Sequence, residues 1–295
     1  MTLAALATVA ALISWILFRL MIDISASYPS DNIHKHRADQ RADTVNIGVV
    51  SRFPANILYQ GYQPLLDYLI EETPYHFELV ISPSYSDAVM LLADGSIHAA
   101  FLGSYIYFIS QEDFNLVPVL KPLNEDGKPF FHSVVIVKED SDIHDLESLY
   151  GRNLALPSDL SYSGNWLTAY GWVDESRLSR KTHFSNHHIV VYEVMRGNYD
   201  AGSVKDRVAD EFSGRGIRVI AQSDPVPGSP LVASADYDPD IIGSIKTALL
   251  QVDPSDPAFS DRIQQWDPEF AYGFIEARPE DYLQLLPENT SLLQE

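Results

Sequence analysis

From residue 44 onward the chain alternates between short apolar, β-branched runs and longer stretches with apolar residues at helical spacing. Residues 45–50, 77–81, 98–102, 117–120, 133–138, 153–156, 200–204, 217–221 and 231–234 read as strands. Leu58, Tyr62, Leu65, Leu66 and Leu69 share one face of a helix over 57–72, and Ala88, Val89, Leu91 and Leu92 share one over 86–94 that Gly95 stops. Further helices are predicted over 145–149 (ended by Gly151), 165–173, 188–196 (ended by Gly197), 240–251 and 261–266, with 272–274 and a helix over 281–286 closing the chain. Alternating strands and helices predict parallel sheets with helices on both faces. In such folds ligands sit beyond the C-terminal strand ends, where loops meet helix N-termini. Four loops satisfy that description: 83–86, 103–105, 161–164 and 185–188. They are rich in hydroxyls, small residues or histidine.

The start of the chain follows a different pattern. Residues 3–18 carry no charge, and Leu20, Met21, Ile22 and Ile24 extend the apolar run past Arg19. That length suits a membrane span of ~20 residues, and no polar face recurs within it. Residues 1–27 are therefore expected to be a signal-anchor or signal peptide, retained as a tether over 3–24. Residues 28–43 are polar and unpatterned, a linker. Lys35, Arg37 and Arg41 follow the apolar run while no basic residue precedes Arg19, a bias that taken alone places the remainder on the cytoplasmic side.

Composition narrows the classes. Of 295 residues, 46% are hydrophobic, enough for a sizeable core and against disorder. With 41 acidic and 20 basic side chains the formal charge is −21, which excludes a nucleic-acid partner that needs a basic footprint. A small anion is not excluded, because backbone N–H groups and hydroxyls bind anions without net positive charge. Cysteine is absent, which removes disulfides, thiolate metal sites, cysteine nucleophiles and a lipid-modified cysteine.

The candidate chemistry is concentrated in those loops. Ser161, Tyr162, Ser163 and Gly164 open a helix, and two hydroxyls, free N–H groups and the helix dipole suit a tetrahedral oxyanion. A plain N-cap with a turn glycine is the competing reading. Ser163 as a hydrolase nucleophile fits less well: a G-x-S-x-G elbow would need glycines where Ser161 and Asn165 stand. His187 is either an imidazole donor to the anion, stronger if protonated, or a capping histidine. His183 and His187 at i, i+4 suggest zinc only weakly, because the segment between them reads as strand and turn with no third ligand close by. Tyr85 either reaches a cleft or covers its lobe. Asp200 and Asp206 flank a small-residue strand and meet a cationic part of a ligand or simply solvent.

Taken in order, these segments resemble the phosphate/phosphite/phosphonate-binding proteins of ABC transporters, the phosphonate-binding family of type 2 periplasmic binding proteins. The resemblance runs from about Val45 to about Ser234, and more weakly to about Leu286. Residues 63–69 resemble the family's first helix, 84–87 its aspartate–tyrosine loop, and 94–103 its G-x-(V/I)-D-(I/V)-A strand, with His98 for the aspartate. Residues 133–141 resemble S-x-x-I-V-x-x-D-S, and 146–151 the D-L-x-G turn. The S-T-S-G oxyanion loop is matched by 161–164 with Tyr162 for threonine, x-V-D-A-G by 198–202, and I-P-x-x-P by 226–230. His187 falls at the family's ligand histidine. Phe131 stands where the family has a pocket tyrosine. Of two carboxylates that meet a ligand amine, Asp206 is one counterpart, while the other position holds Ser229.

The resemblance implies an α/β, two-lobe type 2 periplasmic-binding-protein fold with two crossover strands, preceded here by one hydrophobic helix. Lobe one would take 44–132 and 233–286, lobe two 133–232, with 287–295 as a tail. It implies no cofactor, no catalysis and a ligand set of Tyr85, Ser161, Tyr162, Ser163, His187 and Asp206 around a phosphate- or phosphonate-type oxyanion. It also implies an extracytoplasmic location, an ABC permease as partner, and export despite the charge bias at the N-terminus. A membrane-tethered sensor and a Ser163/His187 hydrolase are the alternative outputs.

Overall fold

The computed structural model of the chain describes residues 44–285 other than Arg52 and Pro54. The expected anchor, the linker and the tail from 286 onward lie outside the described residues. Among the described residues, no helix is long and apolar enough to cross a membrane.

Two mixed sheets carry the architecture. The first is built from β1 (Thr44–Val50), β2 (His76–Ser82), β3 (Ala99–Phe101), β4 (Leu116–Pro122), β12 (Leu231–Ser234) and β13 (Phe274–Glu276), in the order β13-β4-β12-β3-β1-β2. The second comprises β6 (Ser133–Lys138), β7 (Asn153–Leu156), β8 (Arg180–His183), β9 (Ala201–Lys205) and β10 (Ile217–Gln222), in the order β10-β6-β9-β7-β8. Between them the chain passes twice, through β5 (Phe130–Phe131) and β11 (Val226–Pro227), which pair antiparallel with Phe131 opposite Val226. These are the two crossover strands of the expected two-lobe fold.

The expectation of parallel sheets needs correction. β1 pairs in parallel with β3, and β7 with β8 and β9. But β12 runs antiparallel to both β3 and β4, and β6 antiparallel to both β9 and β10. The cause is the double passage: β12 re-enters the first sheet from the opposite lobe, so it arrives in the reverse direction. Alternation along the chain carries no information about that order.

Helices cover the sheets: α1 (Ala55–Glu72), α2 (Tyr85–Ala93), α3 (Ser104–Ser110), α4 (Tyr162–Ala169), α5 (His187–Met195), α6 (Asp206–Glu211), α7 (Pro239–Leu250) and α8 (Pro257–Ile263). The expected helix over 145–149 is a single 3-10 turn at Glu147–Leu149, and that over 281–286 is a 3-10 stretch, Pro279–Leu285. The terminal segment 272–274 leads into β13, whose first residue is Phe274, and α8 begins four residues before the expected 261. The apolar stripe of α1 buries Leu58, Tyr62, Leu65, Leu66 and Leu69, as its spacing predicts.

One piece of the first core bears directly on the site. A 3-10 turn, Pro268–Phe270, drives Phe270 into the core, where its ring lies 4.6 Å from that of Phe101 and 5.0 Å from that of Tyr62. Asp267 caps this turn by accepting from the Glu269 N–H at 2.9 Å, and its own N–H donates to the Gly61 carbonyl of α1 at 2.8 Å. A β-carbon at Gly61 would press on the Asp267 backbone. Gly61 is thus a close-approach glycine that lets α1 and the turn dock.

Gly61→Ala sets two effects against each other. Alanine gains roughly 1 kcal/mol of helix propensity, while overpacking typically costs about 1–3 kcal/mol. The expected outcome is net destabilisation, read as a lower urea midpoint with an unchanged slope.

Candidate functional site

Six C-terminal strand ends converge between the two sheets. Phe53 follows β1, Tyr85 follows β2, and Gly103 and Ser104 follow β3. The 161–164 loop follows β7, His187 follows β8, and Lys205 ends β9. With Phe131 and Ser229 from the two crossover connections, Val208 and Glu269, they line one small cavity of about 30 Å³, close to a water molecule's share of the liquid. Of the expected site residues, Tyr85, Ser161, Tyr162, Ser163 and His187 are brought together here. Asp206 is not among them.

In the 161–164 loop the N-cap reading is directly visible, and the same loop lines the cavity. Ser161 is the N-cap of α4: its hydroxyl accepts from the Gly164 N–H at 3.1 Å and donates to the Ser158 carbonyl at 2.7 Å. Its one proton is therefore committed to the loop. Gly164 sits against the Ser158 and Pro157 carbonyls, where no β-carbon fits. Within this tight turn Tyr162 and Ser163 hold the first positions of an eight-residue helix, where N–H groups have no intrahelical acceptor and the dipole favours negative charge. Ser163 is 2% exposed and its hydroxyl shares a 2.6 Å hydrogen bond with that of Ser133 on β6. Either hydroxyl can be the donor of this bond, and in the arrangement where Ser133 donates, the Ser163 proton is left to point elsewhere. Burial pushes the Tyr162 phenol up to about 12, with a hydrogen bond to Ser223 opposing the shift and Asp224 adding to it. Tyr162 is accordingly a neutral donor.

His187 is the first residue of α5, whose N-cap Asn186 accepts from the Ile189 N–H at 3.0 Å. Its Nδ1 accepts from the Lys205 N–H at 3.2 Å. An accepting Nδ1 leaves the proton of a neutral ring on Nε2, so the neutral imidazole is already a donor there. His183 is occupied elsewhere, its Nδ1 2.7 Å from the Pro157 carbonyl. Tyr85 opens α2 behind the N-cap Ser84 and is buried. Ser104 opens α3 and donates its hydroxyl to the Pro227 carbonyl of β11 at 2.5 Å.

Both aspartates flanking β9 serve the backbone. Asp200 accepts from the Asn153 N–H at 2.8 Å. Asp206 begins α6, accepts from the His132 N–H at 2.7 Å and donates its own N–H to the His132 carbonyl at 2.8 Å. That two-way pairing ties α6 to the crossover segment. The Asp206 side chain borders a larger chamber of about 600 Å³ on the crossover side of the cleft.

Two residues that sequence reasoning missed carry the strongest charges at the cavity. Lys205 Nζ, on the second lobe, lies 2.6 Å from Glu269 Oε1, on the first, with side chains only 11% and 5% exposed. The ammonium also sits 4.2 Å from the centre of the Phe131 ring. Beside this pair, Arg207 Nη2 approaches Asp267 Oδ1 at 3.4 Å, and its guanidinium stands 5.2 Å from the Phe53 ring. Elsewhere in the fold, the Tyr170 hydroxyl donates to the Leu285 carbonyl at 2.5 Å. The signal for Lys205 was its place at the C-terminal end of a small, apolar strand. Glu269 offered only a D-P-E-F turn.

Such a cavity, lined from two lobes and faced by helix N-termini, belongs to a two-lobed solute-binding protein. A family model described as the periplasmic phosphonate substrate-binding protein of ABC transporters matches residues 47–282. The chain belongs to that family, whose members bind solutes outside the cytoplasm for import. Solved structures agree on the fold. The binding-protein component of an ABC phosphonate transporter from Pseudomonas aeruginosa superposes with a TM-score of 0.73 at 18% identity, over 84% of this chain and 85% of that one. PhnD1 from Prochlorococcus marinus, solved with methylphosphonate, gives 0.72 at 15% identity, over 82% and 96%. A Xanthomonas citri protein solved with ATP gives 0.64 at 21%, over 81% and 93%.

Because the Ser161 hydroxyl is spent on its cap, Ser161→Ala is expected to act first on stability. A loss of about 1 kcal/mol, the usual cost of an N-cap, should appear as a lower unfolding midpoint in urea.

Proposed function

We propose that this chain captures a small phosphate- or phosphonate-type oxyanion between its lobes and presents it to an ABC permease. The observation that carries the reading is the convergence on one buried cavity of the α4 N-terminus, the Ser163 hydroxyl, the His187 imidazole and the Tyr85 phenol, contributed by both lobes. Each can donate to an oxyanion, and charge-assisted hydrogen bonds of this type are about twice as strong as neutral ones. Ser163 and His187 stand on the second lobe, Tyr85 on the first. An anion that touches both is bound best when the lobes are together, and that differential affinity drives closure. The cavity holds about one water volume, so an oxyanion enters with the lobes parted and the walls gather around it.

The expected boundary at 232/233 would divide β12, which lies wholly in the first sheet, so in this reading the lobes are 44–132 with 231–286, and 133–230. Asp206 contributes through the crossover segment it braces, outside the anion cavity. Residues 3–24 act as a membrane tether; the uncharged run 3–18 supports this. With that tether the binder stays close to its permease, which raises the effective concentration of one for the other.

Ser163→Ala is expected to weaken binding of inorganic phosphate or methylphosphonate by about 1.5–3 kcal/mol, the range for a hydrogen bond to a charged group, or roughly ten- to a hundredfold in Kd. Isothermal titration measures this directly. Affinity unchanged in a folded variant would remove Ser163 from the site and the reading with it.

A further inference from the structure

Lys205 and Glu269 form a buried ion pair at the wall of the anion cavity, each from a different lobe. Glu269 is held there with little freedom. Its N–H is bonded by the Asp267 side chain, and its neighbour Phe270 is fully buried in the aromatic cluster. Lys205 is fixed at the end of β9, with its own N–H bonded to His187. The ammonium and the carboxylate together bring no net charge to the cavity. They do, however, bring opposite hydrogen-bonding demands. Lys205 is donor only. An ionised Glu269 is acceptor only.

Resting on the oxyanion reading above, we infer that Glu269 selects its ligand by protonation state: the site accepts an oxyanion that keeps a proton to donate, and refuses a fully ionised one. Hydrogen phosphate and a phosphonate monoanion each carry a P–OH group. That hydroxyl turns toward Glu269 while the ionised oxygens face Lys205, the α4 N-terminus, Ser163 and His187. Sulfate has the same tetrahedral shape but no proton at neutral pH. Its oxygens would meet the Glu269 carboxylate acceptor to acceptor and charge to charge, at a side chain only 5% exposed, where solvent screening is weak. Rejection of an analogue that leaves a buried polar group unmatched is the steepest form of discrimination that a binding site offers. The substrate class is thus a monoprotonated tetrahedral oxyanion of phosphorus.

The test is isothermal titration at pH 7 of the wild type, E269Q and the double variant K205M/E269Q with inorganic phosphate, methylphosphonate and sulfate. Wild type should bind one or both phosphorus anions at least a hundredfold more tightly than sulfate. Glutamine offers a donor as well as an acceptor, so in E269Q the ratio should fall below about tenfold. Removing the negative charge strengthens the binding of all three anions, and of a dianion more than a monoanion, so the informative quantity is the ratio between the two dianions, hydrogen phosphate and sulfate, and not the affinity. The double variant leaves no buried charge unmatched, which guards against a folding defect, and its ratio should be equally low. Wild type that binds sulfate as well as phosphate overturns the inference, and so does an E269Q that keeps the wild-type ratio. Both results leave the oxyanion site standing. Wild type that binds none of the three anions defeats the oxyanion reading itself, and this inference falls with it.

Discussion

The double passage of the chain between its two sheets is the constraint on which the rest depends. Phe131 and Val226 face each other in a two-strand ladder, and on either side of it the chain is committed to one sheet or the other. Two short connecting strands are the kind of link about which lobes can rotate without separating. They also decide which ends of the strands face the cleft. The C-terminal ends of β1, β2 and β3 meet those of β7, β8 and β9, so helix N-termini arrive from both sides at the same cavity. Ser104 on α3 reinforces the arrangement by bonding the Pro227 carbonyl, as does Tyr282, whose hydroxyl donates to the Gly228 carbonyl at 2.9 Å.

The electrostatics of the site run against those of the molecule. A formal charge of −21 surrounds a cavity suited to anions. Recognition of this kind does not draw on net charge. The proposed site relies instead on backbone N–H groups at a helix start, hydroxyls, an imidazole and one buried ammonium, gathered around one small cavity. At longer range the surface carboxylates are screened by salt beyond ~10 Å, so the local donors set the affinity. The Lys205–Glu269 pair fits this logic. A buried ion pair is a weak source of stability because desolvation offsets much of the attraction. Its value lies in placing a donor and an acceptor of opposite sign at fixed positions.

Much of this was legible in the sequence, for physical reasons that also explain what was hidden. Strand and helix positions followed from periodicity, which is local. The 161–164 loop stood out because two hydroxyls and a glycine at a helix start suit either an N-cap or an anion site; Ser161 caps the helix and Ser163 lines the cavity. Strand order was not legible, since nothing local distinguishes β12, inserted between β3 and β4, from an edge strand. α6 was overlooked because it begins at Asp206 with no turn after β9. The family pattern puts Asp206 in the ligand set; in the fold its carboxylate accepts from the His132 N–H and borders the larger chamber, a position only the tertiary structure reveals. Lys205 and Glu269 lie 64 residues apart and individually look like ordinary solvated charges. Only the fold brings them together.

The placement of β12 has a consequence for how the molecule is made. Residues 231–234 sit in the middle of the first sheet, hydrogen-bonded on both edges, yet they emerge from the ribosome after the whole second lobe. Until they arrive, β3 and β4 each expose an unpaired edge, and no early intermediate can complete the first core. Such long-range closure slows folding. For a chain whose family works beyond the cytoplasmic membrane, late closure of the first sheet leaves the polypeptide threadable for longer.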